Sequence, residues 1–287
     1  MTSIKTALQS AAGQLQNISE ENKLEAEILL MFALQKPRSF LHAWPEKELD
    51  ETQFKKYQHL VSRRIKGEPV AYIVGEKEFW SLPLKVTPDV LIPRPETELL
   101  VELALKFLPE KKHFKVADLG TGAGAIALAL ASERPDWKIT ATDRSKAALE
   151  VAEKNAAFLK IKNIRFLSGQ WCTAFKENDY DLIISNPPYV AENDPYLQQG
   201  GLPFEPRQAL ASGEEGLDDI KIIIQQVKKY LIPGGWLMLE HGYDQAEAVG
   251  VLLNKAGYES IQCHADLAGL PRATVAAVTE TCIFPRK

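Results

Sequence analysis

Cysteine is scarce. Cys172, Cys263 and Cys282 are the three in 287 residues, far apart and never spaced C-x-x-C. That odd number and wide spacing speak against a disulfide framework or a zinc site, and for a reducing compartment such as the cytoplasm. The five histidines, His42, His59, His113, His241 and His264, are equally scattered, so no metal centre is expected. No apolar run approaches the length of a membrane span, and the opening Met1-Thr2-Ser3-Ile4-Lys5 lacks the apolar stretch of a secretory signal. Basic charge is not in excess either: 34 Lys and Arg face 38 Asp and Glu, for a net charge of −4. Proteins that grip nucleic acid usually carry a basic surface, so this balance leans away from a stable nucleic-acid partner. What is plentiful is apolar: hydrophobic residues make up 45% of the chain, enough for the core of one large domain and a smaller one.

Three parts are expected. Over residues 1–73, Ile4, Ala7, Leu8, Ala11 and Leu15 recur at helical spacing, as do Phe54, Tyr57, Val61 and Ile65, with Asp50 and Gln53 forming a capping box before the second stripe. The expectation is a small helical domain, with Lys55, Lys56, Arg63, Arg64 and Lys66 on a charged face. Residues 74–95 alternate apolar and polar at Leu82, Leu84 and Val86, then meet Thr87-Pro88-Asp89 before Val90-Leu91-Ile92, which predicts a β-hairpin linker turning at 87–89. Residues 96–287 alternate strand and helix. Val116, Ile139, Ile164–Leu167 and Leu182–Ile184 mark strands, and 146–159 and 217–231 mark helices. Pro233-Gly234-Gly235 turns into a strand at Trp236–Glu240, and strands near 260–264 and 272–278 close an antiparallel edge. The fold class is α/β, a doubly wound and mostly parallel sheet. A long Gly- and Pro-containing insertion between Tyr189 and Leu217 is expected to cover a ligand.

Chemistry concentrates at three places. Asp118-Leu119-Gly120-Thr121-Gly122-Ala123-Gly124 joins a strand to a helix, where glycines allow close backbone approach and the helix start offers free N–H groups. The spacing is G-x-G-x-G, whereas dinucleotide sites use G-x-G-x-x-G to bring a pyrophosphate onto the helix end. It therefore suits a ligand without a pyrophosphate, such as S-adenosylmethionine. Asp143 ends the next strand, at the distance where an acid reaches ribose hydroxyls, although it could equally cap a helix in competition with Ser145. Asn186-Pro187-Pro188-Tyr189 follows the run Leu182–Ser185. A planar NH2 group is a poor nucleophile because its lone pair is delocalised. The Asn186 amide oxygen and the Pro187 carbonyl can each accept one of its N–H bonds, turning the lone pair toward an electrophile, while Tyr189 offers a flat stacking face. Taken alone, the four residues would serve as well as a Pro-Pro turn.

In this order, these motifs resemble the class I S-adenosylmethionine-dependent methyltransferases. Gly75-Glu76-Lys77-Glu78-Phe79-Trp80, Leu91-Ile92-Pro93-Arg94-Pro95-Glu96-Thr97-Glu98 and Phe204-Glu205-Pro206 narrow the resemblance to the peptide chain release factor N5-glutamine methyltransferases, over nearly the whole chain. It implies methyl transfer from S-adenosylmethionine to the side-chain amide of the glutamine in the Gly-Gly-Gln loop of class 1 release factors. It implies that Asp118, Leu119, Gly120, Thr121, Gly122, Gly124, Asp143, Trp171 and Asn186 hold the cofactor. Arg94, Pro95 and Glu96 would line the glutamine pocket with Asn186, Pro187, Pro188 and Tyr189, and the helical domain would help grip the release factor. Many class I enzymes carry an acid after the third strand, where this chain has Ser168-Gly169-Gln170-Trp171. Gln170 can accept the same hydrogen bond without charge, and Trp171 is expected beside the adenine. The rival reading is an adenine-N6 methyltransferase of DNA or RNA, which uses the same N-P-P-Y chemistry on a flipped base.

Overall fold

The computed structural model describes residues 2–109 and 113–279, so Cys282 lies outside the described residues. The chain divides into two compact units: 1–76 with 198–204, and 77–197 with 205–287. In the first, β1 (Thr2–Ser3) leads into α1 (Ile4–Leu15), α2 (Asn22–Leu34) and α3 (Arg38–Ala43), and β2 (Glu48–Leu49) pairs back with β1. Then come α4 (Glu51–Ile65) and α5 (Val70–Val74). Of the stripes read from the sequence, Ile4, Ala7, Ala11, Leu15, Tyr57 and Val61 are buried in this unit's core together with Leu29 and Leu30 of α2, Leu8 and Phe54 are partly buried against it, and Ile65 is exposed. At the start of α4 the Asp50 carboxylate accepts from Gln53 N while the Gln53 amide oxygen accepts from Asp50 N, so the expected capping box is present.

The charged face needs correction at Arg64. Its guanidinium is buried and forked onto Glu25 of α2 at 2.8 and 3.1 Å, making it an internal tie between two helices. Arg63 pairs with Glu68, and Lys55 with Glu51. Residues 198–204 complete this unit. The Phe204 ring lies so close to Gly67 that a Cβ there would come within 3.3 Å of it, and Gly67, at φ +95°, is also in a conformation that favours glycine.

The second unit opens with a hairpin, β3 (Glu76–Phe79) and β4 (Leu82–Lys85). Its turn is Trp80-Ser81, both at positive φ as a two-residue primed turn requires, and 87–89 is not the turn. Val90–Ile92 is accordingly irregular and not a second strand. The hairpin's Phe79 and Leu84 are buried in the core of this unit. After α6 (Glu98–Phe107) the chain alternates through β5 (Lys115–Leu119), α7 (Ala125–Glu133), β6 (Lys138–Asp143), α8 (Lys146–Leu159), β7 (Ile164–Ser168) and β8 (Tyr180–Ser185). It ends with α9 (Asp218–Val227), β9 (Leu231–Glu240), α10 (Ala246–Lys255), β10 (Tyr258–Ala265) and β11 (Pro271–Val278).

Within the described residues these strands form the expected doubly wound sheet, in the order β10-β11-β9-β8-β5-β6-β7. It is parallel from β9 to β7. The reversed strand is β11, one in from the edge, while β10 outside it runs with the parallel set. Helix α9 is shorter than 217–231, and Pro233-Gly234-Gly235 lies inside β9. There the register with β8 jumps from Tyr180↔Leu231 to Leu182↔Trp236, so the proline sits in a bulge, where its missing N–H costs no ladder bond.

Alternation along the central strands splits the core in two. Val116, Leu182, Ile184 and Met238 face one layer with α6 and α7, and Ala117, Leu119, Ile183 and Leu237 face another with α9 and α10. Because β5, β6, β7, β8 and β9 all run the same way, the loops that follow them gather at one edge of the sheet. No helix among the described residues is long and apolar enough to cross a membrane.

Candidate active site

One cleft lies at that edge, lined by the glycine loop, the ends of β6 and β7, the segment 89–91, the N-P-P-Y loop and residues 206–209. Of the residues singled out in the sequence, Gly120, Gly122, Asp143, Gln170, Trp171, Asn186 and Pro188 line it. Gly122 stands at φ +55°, and a Cβ there would meet nothing within 4 Å, so the loop's outer side is open to a ligand. At Gly120 a Cβ would come within 3.2 Å of the Trp171 ring. Trp171 both packs in the second core layer and borders the cleft, and it holds a left-handed φ of 51°. Such a conformation in a bulky residue is a strain that sites often carry.

Asp143 accepts from Gly122 N through Oδ2 at 3.0 Å and from Ser145 N through Oδ1 at 2.8 Å, while Ser145 caps α8 through its own hydroxyl. Each Asp143 oxygen keeps a further lone pair beside the cleft. Burial pushes the Asp143 pKa up, against the pull of the two N–H bonds.

Asp118, Leu119, Thr121 and Gly124 are not among the cleft-lining residues. Leu119 is fully buried in the core, and Gly124 is the left-handed cap of α7. Asp118 is fully enclosed; its Oδ2 accepts from the Thr121 hydroxyl at 2.6 Å and from Ala127 N at 3.2 Å, and its Oδ1 has no partner. Burial lifts its pKa to about 7. A buried acceptor without a donor, behind a glycine loop with an open outer side, suits a cationic ligand group such as an ammonium. The orphan Oδ1, the open side of Gly122 and the Trp171 ring together fit S-adenosylmethionine.

Around N-P-P-Y the structure adds two residues that the sequence did not offer as a pair. Asn186 Nδ2 donates to the Thr97 hydroxyl at 2.9 Å, and the Tyr189 hydroxyl donates to Glu240 Oε1 at 3.2 Å. Glu240 ends β9, is 1% exposed, and is pushed up by burial to a pKa of about 7. Its Oε2 has no hydrogen-bond partner, and the neighbouring Thr97 hydroxyl and Tyr189 restrain that rise. Burial and the nearby Glu240 charge raise the Tyr189 phenol far above its ordinary value, keeping it a neutral donor. The Tyr189 carbonyl accepts from Gln245 Nε2 at 3.0 Å.

Arg94 and Glu96 do not line the cleft. Arg94 is ion-paired with Glu205 at 2.6 Å, and the other Glu205 oxygen accepts from Ile92 N at 3.0 Å, so this buried acid ties 92–94 to the end of the insertion. Pro95 opens a 3-10 turn, Pro95–Thr97, in which Pro95 and Glu96 are exposed and Thr97 is buried. Local motifs could not reveal the Asn186–Thr97 contact, because the two residues are 89 positions apart.

Two family models match the chain: one described as the PrmC N-terminal domain over residues 6–75, and one described as the methyltransferase small domain over 97–199. The chain is 55% identical over 276 residues to the release factor glutamine methyltransferase of Coxiella burnetii, covering 96% of this chain and 99% of that one. It is 47% identical over 268 residues to the protein of the same name from Escherichia coli, covering 93% and 96%. A methyltransferase from Pyrococcus furiosus with a solved crystal structure shares the fold, with a TM-score of 0.53, 20% identity, and coverage of 76% of this chain and 97% of that one.

Proposed function

Since the chain belongs to the release factor glutamine methyltransferases, we propose that the cleft beside Asn186 is where it methylates the glutamine of a release factor's Gly-Gly-Gln loop. As a member of that family it is an S-adenosylmethionine-dependent enzyme that modifies glutamine in release factors, and adenine in DNA or RNA is not the favoured substrate. The carrying observation is the Asn186–Thr97 hydrogen bond. With its NH2 committed to Thr97, Asn186 keeps its Oδ1 for an incoming N–H.

In this reading the substrate amide lies with one N–H on Asn186 Oδ1 and the other on the Pro187 carbonyl, which localises the nitrogen lone pair. Tyr189, tethered at its hydroxyl and carbonyl, flanks the planar group with its ring. Asp143 and the Gly120–Gly122 loop would hold the cofactor's ribose, Trp171 would border the adenine, and the orphan oxygen of Asp118, enclosed behind the loop, would favour the methionine ammonium on the loop's open side. The bound cofactor supplies a methyl group already activated on a sulfonium. What remains for the chain is in-line positioning and exclusion of water. Arg94, Pro95 and Glu96 border the glutamine entrance, and the helical residues 1–73 with the linker 74–95 read the folded body of a class 1 release factor in the cytoplasm.

The test is methyl transfer from labelled cofactor by the purified protein to intact release factor, to a release factor with the loop glutamine changed to alanine, and to DNA and RNA. Label on the intact factor alone, mapped by mass to that glutamine, is expected. Label on nucleic acid and none on the release factor would overturn the reading.

A further inference from the structure

Two buried residues flank Asn186-Pro187-Pro188-Tyr189: Thr97 accepts from Asn186 Nδ2, and Glu240 accepts from the Tyr189 hydroxyl. We propose that Thr97 and Glu240 are positioning residues that set the polarity of the Asn186 side chain, with the single buried carboxylate of Glu240 bracing both ends of Asn186-Pro187-Pro188-Tyr189. This rests on the reading of the cleft as the glutamine site.

An asparagine amide is nearly symmetric in shape, and its two ends differ chiefly in whether they donate or accept. A catalyst that needs an acceptor facing the substrate must therefore prevent a flip. Thr97 is 4% exposed, and the neighbouring Glu240 carboxylate, though not in full hydrogen-bond geometry with its hydroxyl, draws the hydroxyl proton toward itself electrostatically. With that proton drawn toward Glu240, Thr97 Oγ presents a lone pair to its other neighbour. The atom at 2.9 Å from it must then be the Asn186 nitrogen, which turns Oδ1 away from Thr97. A flipped Asn186 would set oxygen against oxygen at Thr97 and aim N–H bonds at the N–H bonds of the substrate.

The brace is rigid at its root. Glu240 is the last residue of β9, paired in register with Ala273 of β11, and the preceding Leu239 pairs with Ser185, the last residue of β8 before Asn186. The other carboxylate oxygen takes the Tyr189 hydroxyl at 3.2 Å, so both ends of the four-residue loop refer to one fixed group. Of the charges around the carboxylate, Arg272 of β11 favours its ionised form and Glu96 opposes it.

The experiment compares T97V, which keeps the shape and removes the hydroxyl, with T97S, which restores it, at saturating cofactor on intact release factor. We expect T97V to lower kcat by roughly tenfold or more, with cofactor affinity and melting temperature unchanged and KM for the release factor moved far less. T97S is expected to recover most of the loss. In wild type, nitrogen-15 NMR of the Asn186 side chain is expected to show one Nδ2 proton exchanging much more slowly than in an exposed asparagine, a readout that stands even if T97V fails to fold. A T97V kcat within about twofold of wild type, or fast exchange of both Asn186 protons, would overturn the proposal. Failure here is distinguishable from failure of the function: if N186A abolishes transfer while T97V does not, only the bracing role falls, and if wild type never labels the release factor, the site reading falls first.

Discussion

Gly122 N donates to Asp143 Oδ2 at 3.0 Å, so the tip of the glycine loop is tied to the end of the neighbouring strand. Asp143 thus shapes the loop and offers its remaining lone pairs to whatever the loop holds. Asp143→Ala is expected to weaken S-adenosylmethionine binding by about 1–3 kcal/mol, the cost of a lost charged hydrogen bond. Asp143→Asn keeps one carbonyl acceptor and should fall between the two. Calorimetric titration checks both, and an affinity equal to wild type in a folded Asp143→Ala protein would remove Asp143 from the ribose.

At Asn186 binding and chemistry should separate. Asn186→Ala deletes the acceptor that localises the substrate lone pair, so single-turnover transfer is expected to drop by about 10² or more. Cofactor affinity should move much less, because the glycine loop and Asp143 are untouched. Quench-flow with labelled cofactor measures the first quantity and equilibrium titration the second. Comparable losses in both would mean that Asn186 serves mainly the cofactor.

The buried carboxylate of Glu240 makes a pH signature in stability. Its folded pKa, about 7, lies above that of an exposed glutamate, so its contribution is fully present below the unfolded value of about 4.5 and is lost as pH rises through about 7. Asp118 behaves in the same sense, while His241, with its pKa lowered by burial, acts oppositely. Against that shared background, Glu240→Gln should cut the decline in melting temperature between pH 5 and 8 to well below that of wild type, because an amide has no proton to lose. The Tyr189, Thr97, Arg272 and Glu96 groups that face Glu240 remain in both proteins. Parallel melting curves across that range would show that the carboxylate does not titrate there.

Arg64 is forked onto Glu25 inside the helical unit, so Arg64→Ala strands a largely buried carboxylate and should cost about 2–4 kcal/mol. The double change of Arg64→Met with Glu25→Leu should recover much of that, since an apolar pair needs no partner charges. Urea melts followed by circular dichroism test the ordering. A single mutant as stable as wild type would place the pair on the surface energetically.

What the sequence revealed and what it concealed divide by distance along the chain. The glycine loop, Asp143 and N-P-P-Y were legible as motifs because each is a short run at the end of a recognisable strand, and the structure brings Gly120, Gly122, Asp143, Asn186 and Pro188 to one cleft. The capping box at Asp50 and Gln53 was legible for the same reason. Thr97 stood out only as part of the Leu91–Glu98 motif, and Glu240 as the end of a strand. Their joint role depends on contacts 89 and 51 residues apart, which no local pattern encodes. Arg64 read as surface charge because its partner Glu25 is 39 residues away. The hairpin turn was misread for a different reason. Thr-Pro-Asp is a strong turn signal, while Trp80-Ser81 adopts positive φ at two non-glycine residues, a choice that composition disfavours.

Residues 198–204 belong with the helical unit although they are encoded far downstream of it. As the chain emerges during its own synthesis, the helices of that unit form early, but the Phe204 ring that lies against Gly67 arrives only after about 130 further residues have been made, at a typical 5–20 residues per second. A nascent chain interrupted before Phe204 would hold a helical unit missing its last piece, and the large sheet domain would still lack the strands that carry Glu240 and its neighbours. Completion of the two units is therefore coupled in time, and neither corresponds to a clean cut in the gene.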